Sequence, residues 1–260
     1  MKPMVRLCLV FAACILAMPS PARALPDAEA TAGRLILRRY ADAIVSVKAM
    51  VSLKVIVNDH SMPAREEAID INGTVITPQG LTATSLSAID PKTFFEAIRM
   101  QMSQTNMAVT LGQSEIKGLR LQLADGTEVP AQLVWKDADR DLAFIMPDKP
   151  LAGGRAFTFV NLHEAPEAAI VLGNYYHLSR LPEVMQRAAI IRPSTVMGII
   201  ERPRRMLLVS TDMTPDAMGC PVFDAQGRML GICLRYVVNN QAKGFVVVSA
   251  GDIVGQMANF

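Results

Sequence analysis

Between residues 44 and 248 the sequence breaks into many short runs rich in Val, Ile and Thr, punctuated by Gly, Pro, Asn and Asp. A first set covers residues 44–47, 51–57, 68–77, 81–84, 119–123, 129–135 and 142–146. A second set covers 157–160, 169–172, 188–200, 206–210, 221–223, 229–235 and 245–248. Pro78-Gln79-Gly80 and Asp125-Gly126 read as tight turns, and residues 58–67 as a polar loop. Runs of this length at this spacing predict an all-β sandwich or barrel. Residues 147–154, with two prolines and two glycines, are the best internal boundary.

Helix is expected at three places. Residues 28–40 read as a short lead-in helix, and Ser249 can cap a last helix running to Met257. Between Pro91 and Thr105, Phe94, Phe95, Ile98 and Met102 recur at helical spacings, and Met100 and Met107 extend the apolar character. Two roles stay open for this segment: a helix packed on a barrel, or a methionine-lined surface for a partner.

The N-terminus reads as a targeting segment. Lys2 and Arg6 precede an apolar run over residues 7–18, and Ala22-Arg23-Ala24 forms an A-x-A cleavage site. We expect a signal peptide over residues 1–24 and a periplasmic or secreted product. Phe11-Ala12-Ala13-Cys14 resembles a lipobox only loosely, because the apolar run continues past Cys14. A retained anchor is the other alternative. Cleavage removes three of the 26 bases, leaving 23 against 24 acids, so the basic balance belongs partly to the leader. With no basic stretch interleaved with aromatics, nucleic-acid binding has no support. The four cysteines show no C-x-x-C spacing, and neither metal nor cofactor is expected. No later run is apolar enough for stable membrane insertion.

A collinear set of motifs then narrows the fold. Asn72-Gly73-Thr74-Val75-Ile76-Thr77-Pro78-Gln79-Gly80-Leu81 resembles the G-S-G-V stretch of trypsin-like serine proteases, most closely the HtrA/Deg branch. Leu123-Ala124-Asp125-Gly126, Asp137 to Ala143, Val171-Leu172-Gly173-Asn174, Ser210-Thr211-Asp212 with Gly227 to Ile232, and Gly244-Phe245-Val246-Val247 resemble later family motifs in order. The resemblance implies two six-stranded β-barrels of trypsin-like type, with an inserted helix and a C-terminal helix. It places an N-terminal lead-in at 25–41, one barrel at 42–150 and the other at 151–260, with no residues left for a PDZ domain. The inserted helix is then expected against the first barrel near the cleft, with Met100 or Met107 on the cleft side.

The same resemblance assigns the catalytic positions. A serine must attack, a histidine must take its proton and an aspartate must orient the histidine. Asp141 stands at the family's aspartate. Ser87 falls where the histidine should be, Met218 where the serine should be, and Asp216 and Ala217 in the oxyanion loop. A thioether makes no useful acyl intermediate, a serine is no base near neutral pH, and a carboxylate beside an oxyanion repels it. Asp141 is expected to hydrogen-bond Ser87 or nearby backbone instead, and Asp212 to make a structural hydrogen bond. His60, His163 and His177 read as surface or loop histidines, although the loop that would carry His177 approaches the cleft in relatives. Cys220, two residues past Met218, is a poor nucleophile without a histidine beside it.

If Asp224 pairs with Arg228, Cys220 lies opposite Ile232 and Cys233 points to the other face, which opposes a disulfide. A one-residue shift would bring the two cysteines face to face. The expected function is that of an exported pseudoprotease binding an extended peptide or protein segment in the inter-barrel cleft. An active serine endopeptidase and a structural envelope protein are the alternatives.

Overall fold

The structure, a computed structural model, describes residues 27–92, 95, 108–166, 169–202, 204–210, 215–238 and 241–258. The leader, Asp212, and Phe94, Ile98, Met100, Met102 and Met107 of the inserted segment lie outside them. Pro91, Lys92 and Phe95 of that segment are helical, and Phe95 is buried.

After helix α1 (Asp27–Tyr40) come β1 (Ile44–Leu53), β2 (Val55–Val57), β3 (His60–Ser61), β4 (Arg65–Val75), β5 (Thr82–Ser85), β6 (Val109–Leu111), β7 (Glu115–Gln122), β8 (Glu128–Asp137) and β9 (Leu142–Pro147). The second half holds β10 (Asn174–Arg180), β11 (Ala189–Ile200), β12 (Met206–Val209), β13 (Pro221–Asp224), β14 (Met229–Val238), β15 (Gln241–Ser249) and a last helix α2 (Ala250–Met257). Two closed barrels result, ordered β1-β4-β5-β9-β8-β7 and β10-β11-β12-β15-β14-β13. Each barrel thus threads its own six strands in the same order. Closure needs bent strands, and the bends fall at bulges such as Met50/Val51 on β1 and Val196/Gly198 on β11. Ser249 caps α2 by accepting a hydrogen bond from Asp252 N at 3.1 Å.

Three expected elements fall differently. Residues 58–67 are not all loop: Asn58 and Asp59, both at positive φ, turn β2 into β3, and β4 already begins at Arg65. Residues 157–160 form no ladder. They lie against the first barrel through single bonds from Phe157 N to Pro78 O (3.0 Å) and from Val160 N to Val75 O (2.9 Å). Residues 169–172 end in a turn, with Leu172 at φ +64°, and the strand follows at Asn174–Arg180. A short aliphatic run has no periodicity to distinguish a strand from an exposed turn.

The barrels share a core. Ile44, Ile76, Leu81, Ala83, Leu142 and Phe144 of the first pack with Leu178, Cys220, Phe223, Ile232, Leu234 and Val248 of the second. Helix α1 straps them together. Its Ile36 and Tyr40 enter this core, and the Tyr40 ring stacks on Phe223 with centroids 4.8 Å apart. Polar staples fix the alignment. Asn72 Nδ2 donates to Arg180 O (2.8 Å) and Asp216 O (2.9 Å), and Thr74 Oγ1 donates to Gly219 O at 2.6 Å. The Arg180 guanidinium reaches back to Ile44 O, Ala41 O and the Asp42 carboxylate.

Candidate functional site

The site grows from neighbouring strands. Ser85 ends β5 and faces Leu142, the first residue of β9, so the residues flanking that pair must meet. Asp137 shapes the approach: its carboxylate accepts from Asp139 N (2.9 Å) and Arg140 N (3.1 Å) and pairs with the Arg140 guanidinium. The turn ends with Asp141 at φ +57°, an uncommon conformation for a non-glycine residue.

Asp141 is 1% exposed. Its Oδ1 accepts from Ser87 N at 2.6 Å, and its Oδ2 from Ser85 Oγ at 2.6 Å and Arg235 N at 2.9 Å. The expectation for Asp141 was a hydrogen bond to Ser87 or nearby backbone; Ser87 and Arg235 supply backbone N–H groups, and the closest hydroxyl is that of Ser85. Burial pushes the Asp141 carboxyl above its usual pKa, and the bonds from Ser85, Ser87 and Arg235 pull it part of the way back. None of the three histidines hydrogen-bonds to it.

Arg235 links this carboxylate to the second barrel. While its backbone N–H holds Asp141, its Nη2 donates to Met218 Sδ at 3.7 Å. Met218 is 5% exposed. Positions 87, 141 and 218, far apart in sequence, are therefore joined through direct contacts in which Arg235 is the bridge. Sequence reasoning missed Ser85 and Arg235. The only signal for Arg235 was its place on the last strong strand pattern before Gly244.

The turn before Met218 is held from behind. Ala217 is fully buried, and its carbonyl oxygen lies 3.3 Å from His177 Nε2. A carbonyl can only accept, so Nε2 carries the proton. Nδ1 is buried with no partner among the described residues. This corrects the surface or loop expectation for His177, which sits inside β10 with 0% exposure. Burial is the main cause that lowers its pKa to about 4, and nearby Arg192 adds to it. The other two histidines are exposed, His60 on β3 and His163 in a short turn of helix. The Asp216 carboxylate is neutralised by Arg192 at 3.1 Å, with Ser179 Oγ at 3.4 Å.

The cysteine register also needs correction. Pro221, not Cys220, lies opposite Ile232, because a bulge between Val222 and Phe223 shifts the β13–β14 ladder by one. Asp224 N still bonds Arg228 O (2.9 Å), but beyond the bulge Cys233 N bonds Cys220 O at 2.9 Å. The two nevertheless remain separate thiols. Gly219 N also bonds Cys233 O at 2.8 Å, so Gly219 and Cys220 together oppose Cys233. Cys220 joins the inter-barrel core and Cys233 the interior of the second barrel. Burial raises both thiols, Cys233 to about 12, so neither is a ready thiolate.

Two closed barrels of identical strand order, with this cluster of side chains at their junction, define a chymotrypsin-type double barrel. The sequence model for the trypsin-like peptidase domain matches residues 71–232, more than half of the chain, and the chain belongs to that family. Among solved structures it is similar to the MamO protease domain from Magnetospirillum magneticum in its apo form. Identity is 17%, the TM-score is 0.50, and 72% of this chain and 87% of that one are covered, a likeness of fold. No curated protein matches the chain at a significant level.

Proposed function

We propose that this trypsin-like domain is an exported, catalytically inactive protein that serves as a binding or regulatory module for an extended peptide or protein segment. The observation that carries the proposal is Met218, buried and touched by the Arg235 guanidinium at the position the resemblance assigns to the nucleophile. The partners of Asp141 point the same way. Its carboxylate accepts from a serine hydroxyl and two backbone N–H groups, so nothing couples it to a proton-accepting imidazole. A route for binding exists on β14. Its ladder with β13 ends at Ile232, Cys233 N is then held by Cys220 O and Arg235 N by Asp141, and pairing with β15 continues to Val238, so among the described residues only the stretch past Arg235 has an edge without a ladder partner.

The purified protein is expected neither to degrade casein nor to be labelled by a fluorophosphonate. A labelled serine that maps to any position in the chain overturns inactivity. Ser87→His with Met218→Ser is also expected to stay unlabelled, because Arg235 would press a positive charge on the new histidine. Triad members act as a unit, and an incomplete set forfeits on the order of 10⁶ in turnover. The fair restoration adds Asp216→Gly and Arg235→Ser. Export is checked by N-terminal sequencing of the secreted product, with Leu25 expected first.

A further inference from the structure

On the second barrel, just before β10, an aliphatic tip stands in water. Ile170, Val171 and Leu172 are 71%, 46% and 75% exposed. The tip is held in place: Gly173 N bonds Ile170 O at 3.0 Å, and Ile170 N donates to the Tyr175 hydroxyl at 2.7 Å. Leu172 occupies the left-handed region at φ +64°, a conformation that opposes a side chain with a Cβ. A large apolar residue is thus kept where glycine would be easier and where three quarters of it faces solvent.

The tip is tied to more exposed apolar surface. Leu172 N donates to Val196 O at 2.8 Å, which sets the tip beside Met197, the bulged residue of β11, itself 58% exposed. Leu208, 36% exposed, pairs with the neighbouring Gly198. Further along the same hairpin, the turn between β11 and β12 carries Arg202, which is exposed beside Glu201, and Arg204 and Arg205, which are half-buried. Strand rise places that turn within roughly 20 Å of Val196. No carboxylate among the described residues pairs with these arginines, whereas Arg192 and Arg228 on the same barrel each have one.

We propose that this face docks peripherally on an anionic lipid surface, with Ile170, Val171 and Leu172 entering the headgroup layer and the arginine turn lying on lipid phosphates. A convex aliphatic tip suits a deformable lipid interface, which needs no matching cavity. A protein partner would more often engage aromatic anchors, and this tip has none. Three arginines against the one carboxylate of Glu201 leave the turn a net positive charge that complements anionic headgroups. No described helix is long and apolar enough to cross a membrane.

The test is cosedimentation of the purified full chain with vesicles. With equal parts phosphatidylglycerol and phosphatidylcholine, binding is expected to exceed that to phosphatidylcholine alone by about tenfold and to weaken in high salt. Ile170→Ser with Leu172→Gly is expected to weaken binding about tenfold, and glycine suits the backbone at 172, so folding is preserved. Arg202→Gln with Arg205→Gln should abolish the preference for the anionic vesicles. Val184→Ser with Met185→Ser, at residues 88% and 56% exposed beyond the other end of β10, should change nothing. A Val171→Trp reporter should shift its emission to the blue on the anionic vesicles, which reads the tip apart from any binding by the apolar N-terminal run. Equal binding to both vesicle types, tip variants that bind like the wild type, or an unshifted tryptophan would each overturn the proposal.

Discussion

Gly219→Ala is expected to destabilise the protein by about 3–5 kcal/mol, a large share of a typical domain's stability. Gly219 sits at φ +75° directly after Met218, where the second barrel meets the first. A Cβ at this position would overlap the Asn72 carbonyl oxygen and come within 2.9 Å of Thr84 Oγ1. The Asn72 carbonyl is ladder backbone, and the buried Thr84 hydroxyl is held to it by a 2.8 Å hydrogen bond, so neither swings away easily. The same residue donates from its N–H to Cys233 O and accepts from Thr74 Oγ1. Relief therefore requires the barrels to separate, which loosens the Asn72 staple and the shared core. Gly126→Ala is the control. Gly126 has a similar φ of +84°, but a Cβ there meets nothing within 4 Å. It should lose only about 1 kcal/mol. Urea unfolding of both variants separates the two costs, and equal midpoints would show that the inter-barrel contact is not tight.

Acidification from pH 6.5 to 4 is expected to remove about 3 kcal/mol of stability through His177 alone. In the folded protein this histidine stays neutral down to about 4, against 6.5 for the exposed group. Below 6.5 the unfolded chain takes up the proton and the folded one does not. The unfolded state then binds more protons, so stability falls with pH until the folded pKa is reached. The surrounding groups offset burial only in part. The Ala217 carbonyl and the Asp216 carboxylate favour the cation, but Arg192, itself paired with Asp216, repels it, and burial outweighs them. Asp141 works in the opposite sense, because its raised folded pKa makes the native state take up a proton before the unfolded chain does. His177→Gln keeps a donor for Ala217 O and removes the titration. Urea midpoints measured across this pH range should flatten in the variant, and an unchanged slope would exclude His177 as the cause.

The barrels were legible because their signal is local. Side-chain alternation and turn residues repeat within a few positions, so strands such as β5, β9 and β13 could be placed within a residue or two. The positions of Ser87, Asp141 and Met218 followed from motif order, since each lies beside a strand end that the resemblance aligns. The same local reading failed at residues 169–172, where aliphatic side chains satisfy a strand pattern yet Ile170, Val171 and Leu172 face solvent. It failed too at Asn58-Asp59, whose turn lacks the glycine that usually announces a hairpin.

The sequence by itself determined the double-barrel class, the aspartate at 141, and the absence of serine at 218 and histidine at 87. Tertiary structure decided what fills the junction. The bulge after Val222 brings Cys233 against the Cys220 backbone. A bulge adds one residue without any local sequence mark, and every pairing beyond it shifts. Closure of the second barrel buries His177 behind Ala217, although its own strand reads no differently from an exposed one. The packing of one barrel on the other sets Arg235 between Asp141 and Met218 and seats Gly219 against Asn72. The contacts of Arg235 with Asp141 and of Gly219 with Asn72 cross from one barrel to the other, and they exist only once both sheets have closed and docked.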